Sequence, residues 1–239
     1  MGVHHHKSPI VTDGLVFQVD ADNNLSGNVS NVKNIVKPTE TGSFVNGASV
    51  VNGAYDFDGV DDYIDFGNVS SVQIDRTTVF TLDFWIYRTS SGYLQPFTKI
   101  KTGDVQNTGF SVSIYSSADA SNPDRVQLRM RSSTFDELSA FSNSNVPLSQ
   151  WANVCVSSDG TGTFSGVEFY IDGVSAGKIN STDALNSGTV INTSPLQLGS
   201  YRGAFFSDSS QQSNLKLYNK KLTPIEIQQN YNATKNKYH

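Results

Sequence analysis

The chain has 239 residues, with 17 Lys and Arg against 22 Asp and Glu and a formal net charge of −5. An aromatic content of 11% supplies a core and excludes a disordered chain, and the scattered, outnumbered basic residues exclude a nucleic-acid reader built on a basic face. Histidine occurs only at positions 4, 5, 6 and 239, which excludes a catalytic His or a His-ligated zinc between residues 7 and 238.

In chain order, residues 1–9 read as a polar arm, in which His4, His5 and His6 are either a native metal-binding tract or what remains of a purification tag. Period-2 alternation then begins. Leu15, Phe17 and Val19 share one face of a first strand, and residues 21–50 are loop-rich and expected to cross a face or an edge. Tyr55 and Phe57 open the next strand, and Tyr63 to Phe66 continue it. From Val79 to Tyr87, Phe80, Leu82, Phe84 and Ile86 face one way while Trp85 and Tyr87 face the other, so both sides are apolar, as in a central strand. Phe110, Val112 and Ile114 alternate with Ser111, Ser113 and Tyr115. Val126, Leu128 and Met130 alternate with Gln127, Arg129 and Arg131, which predicts a half-exposed strand.

Trp151, Val154 and Val156 follow, with the single cysteine, Cys155, as a small core hydrophobe. Val167, Phe169 and Ile171, then Leu196 and Leu198, then Leu215 and Leu217 complete the series. Asp159-Gly160 and Asp172-Gly173 are hairpin signals. The capping box Thr223-Pro224-Ile225-Glu226 starts one short C-terminal helix, with Ile227 and Tyr231 on one face. The expectation is all-β: a two-sheet antiparallel jelly-roll sandwich with that helix, residues 10–239 forming one domain. No 18-residue apolar run and no apolar signal-peptide core are present, so a soluble chain made in the cytoplasm without a secretory signal, and not inserted in a membrane, is expected.

Several ordered motifs resemble the laminin-G-like, concanavalin A-like jelly-roll superfamily, in the form found in bacteriophage virion proteins. They are Ile10-Val11-Thr12-Asp13-Gly14-Leu15-Val16, Phe57-Asp58-Gly59-Val60-Asp61-Asp62-Tyr63-Ile64, and Phe80-Thr81-Leu82-Asp83-Phe84-Trp85-Ile86. Trp151-Ala152-Asn153-Val154, Phe169-Tyr170-Ile171-Asp172-Gly173, Leu196-Gln197-Leu198-Gly199 and Leu217-Tyr218-Asn219 through Tyr231 continue them. The resemblance implies a virion structural or decoration protein on a capsid or tail surface. It would dock on other virion subunits through the N-terminal arm, form a homo-oligomer and adhere to host glycans. The alternative it implies is a dedicated, calcium-dependent carbohydrate-binding module for host adsorption. Just before the last strand the chain departs from the family pattern, reading Ser207-Asp208-Ser209-Ser210-Gln211-Gln212-Ser213-Asn214, and no residue role is carried over there.

Catalysis is not expected. The glutamates are Glu40, Glu137, Glu168 and Glu226, far apart and outside the Glu-x-Asp-x-x-Glu strand that would set two carboxylates side by side for glycoside hydrolysis. Asp56, Asp58, Asp61, Asp62 and Asp65, beside Gly59, are the candidate calcium ligands; the same residues also suit a tight turn. Sugar recognition needs planar polar groups and aromatic platforms, for which the loop residues Tyr93, Asp104, Asn107, Tyr201, Arg202, Phe205, Phe206 and Asp208 are the candidates.

Overall fold

The computed structural model describes residues 9–28, 31–101, 103, 105–203 and 205–239, and of residues 27, 28, 180, 205 and 206 the backbone alone. The polar arm therefore lies outside the described residues, apart from Pro9. Strands begin with Leu15–Val19 (β1), Gly27–Asn28 (β2), Asn31–Lys33 (β3), Thr41–Val45 (β4), Ser49–Val51 (β5), Ala54–Phe57 (β6) and Tyr63–Asp65 (β7). Longer ones follow: Val79–Arg88 (β8), Leu94–Ile100 (β9), Gly109–Ile114 (β10), Arg125–Arg131 (β11), Glu137–Asn145 (β12) and Trp151–Asp159 (β13). Val167–Ile171 (β14), Val174–Ser175 (β15), Lys178–Asp183 (β16), Gln197–Leu198 (β17), Ser200–Tyr201 (β18), Phe205–Phe206 (β19) and Ser210–Tyr218 (β20) complete them, and the helix α1 runs over Pro224–Thr234.

Among the described residues eighteen of these strands form two antiparallel sheets packed as a sandwich, and β18 and β19 pair as a separate two-stranded ribbon. The back sheet has the order β15-β14-β13-β8-β20-β6-β5, with β1 also on β20; the front sheet has the order β16-β12-β11-β10-β9-β17-β7-β4-β3-β2. The inward sets of the alternation meet between them. Phe17, Phe84, Phe97, Phe110, Leu128, Val154 and Phe169 are all essentially inaccessible, and each such side chain contributes about 1.5–3 kcal/mol of burial.

Two expectations are refined. The stretch 21–50 holds β2, β3 and β4, which extend one edge of the front sheet; strands this short leave little alternation to read. Glu40 fastens this edge, accepting from Asn34 Nδ2 at 3.0 Å, Ser70 Oγ at 3.0 Å and Ser71 N at 3.0 Å, and pairing with Lys37 at 3.1 Å. Burial alone would raise its carboxyl, but the hydrogen bonds from Ser71, Asn34 and Lys37 hold it down at about 2. Asp172-Gly173 does close a two-residue hairpin, both residues lying at positive φ, which Asp and Gly tolerate. Asp159-Gly160 does not, because Asp159 turns back on Thr161 and the chain runs through a 3₁₀ turn at Phe164–Gly166 before β14.

The double apolarity of β8 is explained by α1. Thr223 caps the helix through the full capping box. Trp85 lies beneath the C-terminal segment, stacked on Tyr238 at 4.3 Å and on Tyr231 at 5.7 Å, and donates its indole N–H to Thr234 Oγ1 at 3.0 Å. Asp83 and Lys216, both fully buried, form an ion pair at 3.4 Å. Asn153 and Asn230 donate to Asp83, and Lys216 donates to the Asn214 carbonyl. Asn230 also accepts from Val11 N at 2.8 Å, pinning the start of the fold to its end. No helix among the described residues is long and apolar enough to cross a membrane.

Candidate functional site

With Phe110, Val112, Val126, Leu128, Met130, Leu138 and Ala140 committed to the core, the alternation turns Ser111, Ser113, Gln127, Arg129, Glu137, Ser139 and Phe141 outward on the front sheet. Strand register sets them in rungs: Ser111 opposite Arg129 opposite Ser139, and Ser113 opposite Gln127 opposite Phe141. These rungs floor a groove of about 920 Å³, walled by Tyr93, Tyr115, Asp119, Ser121, Asn122 and Tyr201 and lipped by Gly59 and Val60.

The polar groups of the floor are fixed by one another. Ser113 donates to Gln95 Oε1 at 2.8 Å and Gln127 Nε2 donates to Ser139 Oγ at 2.9 Å. Arg129 donates from Nε and Nη2 to Glu137 Oε2 at 3.2 and 3.1 Å, and from Nη1 to the Tyr201 hydroxyl at 2.8 Å. Arg131 shares the Glu137 oxygen at 3.2 Å. One wall is aromatic: Tyr93 meets Tyr115 edge-on at 5.0 Å, and Tyr115 meets Phe141 edge-on at 4.9 Å. Tyr93 donates to Asp119 Oδ2 at 2.8 Å, and this bond, with burial, pushes its hydroxyl up to about 12, so it remains a donor. The Asn122 amide, the Tyr93 hydroxyl and the Ser121 amide in turn hold the Asp119 carboxyl below the usual carboxylate range. A preformed trough of hydroxyls and amides beside aromatic rings suits a ligand that alternates hydroxyl groups with apolar C–H faces.

Of the eight loop candidates, Tyr93 and Tyr201 line the groove. Asp208 stands behind Tyr93, its amide donating to the Tyr93 carbonyl at 2.8 Å, and a Cβ on Gly92 would collide with its carboxylate. Arg202 and Asn107 bond to each other outside the groove lining. Asp104 lies outside the described residues, as do the side chains of Phe205 and Phe206, whose backbone pairs with Ser200 and Tyr201. The floor itself was missed. Its signal was three strands whose outward positions carry Ser, Gln, Arg and Tyr, which the alternation exposes without showing that they adjoin.

The structure gathers three of the five candidate calcium ligands: Asp58, Asp61 and Asp62 each bring a carboxylate oxygen within 4.8 Å of the others. Asp62 is buried and accepts from Gly47 N at 2.6 Å and Asp58 N at 3.0 Å, while Asp58 accepts from Val60 N at 2.8 Å. Asp56 and Asp65 instead accept from Gln211 and Gln197. The backbone bonds that Asp58 and Asp62 accept are those of a capped turn.

The Laminin_G_3 model, described as the concanavalin A-like lectin/glucanases superfamily, matches residues 57–228. No curated protein matches the chain. Among solved structures, the binding domain of Paraclostridial Mosquitocidal Protein 1 superposes with a TM-score of 0.67 at 13% identity, over 91% of this chain and 52% of that one. Trypanosoma rangeli sialidase gives 0.65 at 15% identity, over 95% of this chain and 34% of the enzyme. The botulinum neurotoxin serotype G binding domain gives 0.61 at 15% identity, over 91% and 50%. The chain thus spans about half or less of these proteins, and the likeness is one of fold.

Proposed function

The chain belongs to the concanavalin A-like lectin/glucanases superfamily, and on that premise we propose that the groove on its front sheet binds carbohydrate without cleaving it. The observation that carries this reading is the registered floor of Ser111, Arg129, Ser139, Ser113 and Gln127 beside the Tyr93–Tyr115–Phe141 wall. Both carboxylates of the lining are held in place, Glu137 by hydrogen bonds from Arg129 and an ion pair with Arg131, and Asp119 by two amides and a tyrosine. They serve a standing hydrogen-bond network rather than proton transfer. The setting, a virion surface with capsid or tail subunits as partners, is part of the proposal and rests on the resemblance of the motif series, not on the groove. A glycan array probed with the chain and with Tyr115→Ala tests the reading: spots bound by the first and lost by the second are expected, and a uniformly blank array would refute it.

A further inference from the structure

Arg129 stands on the groove floor, and an arginine so placed invites a carboxylate, because its planar fork matches one. Here the chain fills that fork itself. Nε and Nη2 both donate to Glu137 Oε2, Nη1 donates to the Tyr201 hydroxyl, and Arg131 reaches the same Glu137 oxygen. The Arg129 and Glu137 side chains are 16% and 20% exposed, so their attraction is only partly screened. A sugar carboxylate approaching Arg129 would find three of its five N–H donors already taken. Glu137 and, on the groove wall, Asp119 balance the charges of Arg129 and Arg131, so no net positive charge is left to draw an acid in. Sugar hydroxyls need no such charge.

The extent of the groove speaks to ligand length. Its lining comes from β9, β10, β11, β12 and β16, adjacent strands along the front sheet. Four interstrand steps of about 4.8 Å span roughly 19 Å, room for several linked sugar rings rather than one.

Resting on the reading of the groove as a carbohydrate site, we propose that it takes neutral, extended oligosaccharides, and that Glu137 turns acidic glycans away by occupying Arg129. Glu137→Gln keeps the shape and an acceptor oxygen but removes the charge, leaving two cations, Arg129 and Arg131, beside the floor.

The test is calorimetric titration of the full chain and of Glu137→Gln with a panel of neutral linear hexasaccharides, and with the same compounds after oxidation of their hydroxymethyl groups to carboxylates. The unaltered chain should bind the neutral series and bind the oxidised series at least about tenfold more weakly. Glu137→Gln should bind the oxidised series about tenfold more tightly than the unaltered chain does, with a gain that shrinks in high salt. If the variant does not fold, the preference of the unaltered chain decides alone. Equal or tighter binding of the oxidised series by the unaltered chain, or an unchanged preference in folded Glu137→Gln, would overturn the role of Glu137 and leave carbohydrate binding standing. Binding of neither series by the unaltered chain would remove the carbohydrate reading and this inference with it.

Discussion

On the back sheet, the outward residues Asp83, Trp85, Asn153, Cys155, Lys216 and Tyr218 are buried in the region that α1 and the C-terminal segment cover. On the front sheet, the outward residues Ser111, Ser113, Gln127, Arg129 and Ser139 face an open groove. Both rows come from the same strand alternation, so the difference lies in whether the chain supplies a cover. Under a cover, every charge must find its partner within the fold, and Asp83 has Lys216, Asn153 and Asn230. In the groove Ser111, Ser113, Gln127 and Ser139 are themselves nearly buried, positioned by their neighbours, but the space above them is left uncovered, with Arg129 and the Tyr93 ring within reach of a ligand. Stability should therefore be concentrated on the back face and recognition on the front.

The harshest way to break this contrast is Asp83→Ala, which strands the buried Lys216 ammonium. It should cost about 3–5 kcal/mol in urea unfolding, and a loss below about 1 kcal/mol would mean the back face is wet after all. Acid comes next and acts at the front sheet's edge. The folded Glu40 carboxyl sits at about 2, below its ordinary 4.5. Its contribution, up to about 3 kcal/mol, is therefore complete above pH 4.5 and lost as pH falls towards 2. Glu40→Gln should flatten that part of the stability–pH curve. Tyr115→Ala removes the centre of the aromatic wall; binding of a groove glycan should weaken by about 1–2 kcal/mol, roughly tenfold, while urea unfolding changes far less than in Asp83→Ala. The gentlest probe is the helix cap. Thr223→Ala should cost about 1 kcal/mol. Burial, with Asp83 beside it, keeps the Cys155 thiol well above its ordinary pKa. Loosening α1 should therefore speed labelling of Cys155 by a thiol reagent about fivefold, leaving glycan affinity unchanged.

Much of the fold was legible because it is written locally. The alternation around Phe80–Ile86 and Val126–Met130 and the capping box at Thr223 are short-range patterns, and each marks an observed element. The apolar outward face at Trp85 was visible as an anomaly, but its cover lies about 150 residues downstream. The groove was legible only in part. Tyr93 and Tyr201 suggested themselves as loop aromatics, whereas Gln127, Arg129 and Ser139 acquire meaning from the register that sets β10, β11 and β12 side by side. That register is a long-range property, which no run of residues displays. The aspartates at 56, 58, 61, 62 and 65 look like one cluster in sequence, yet alternation sends Asp56 and Asp65 to Gln211 and Gln197 and leaves three at the turn.

The most direct measurement is amide hydrogen exchange of the full chain with and without a saturating array-selected oligosaccharide. Protection gained across residues 109–145, with residues 224–239 unchanged, is the expected result. Protection confined to the helix-covered back face, or gained nowhere while the glycan is bound, would contradict the assignment of recognition to the front groove.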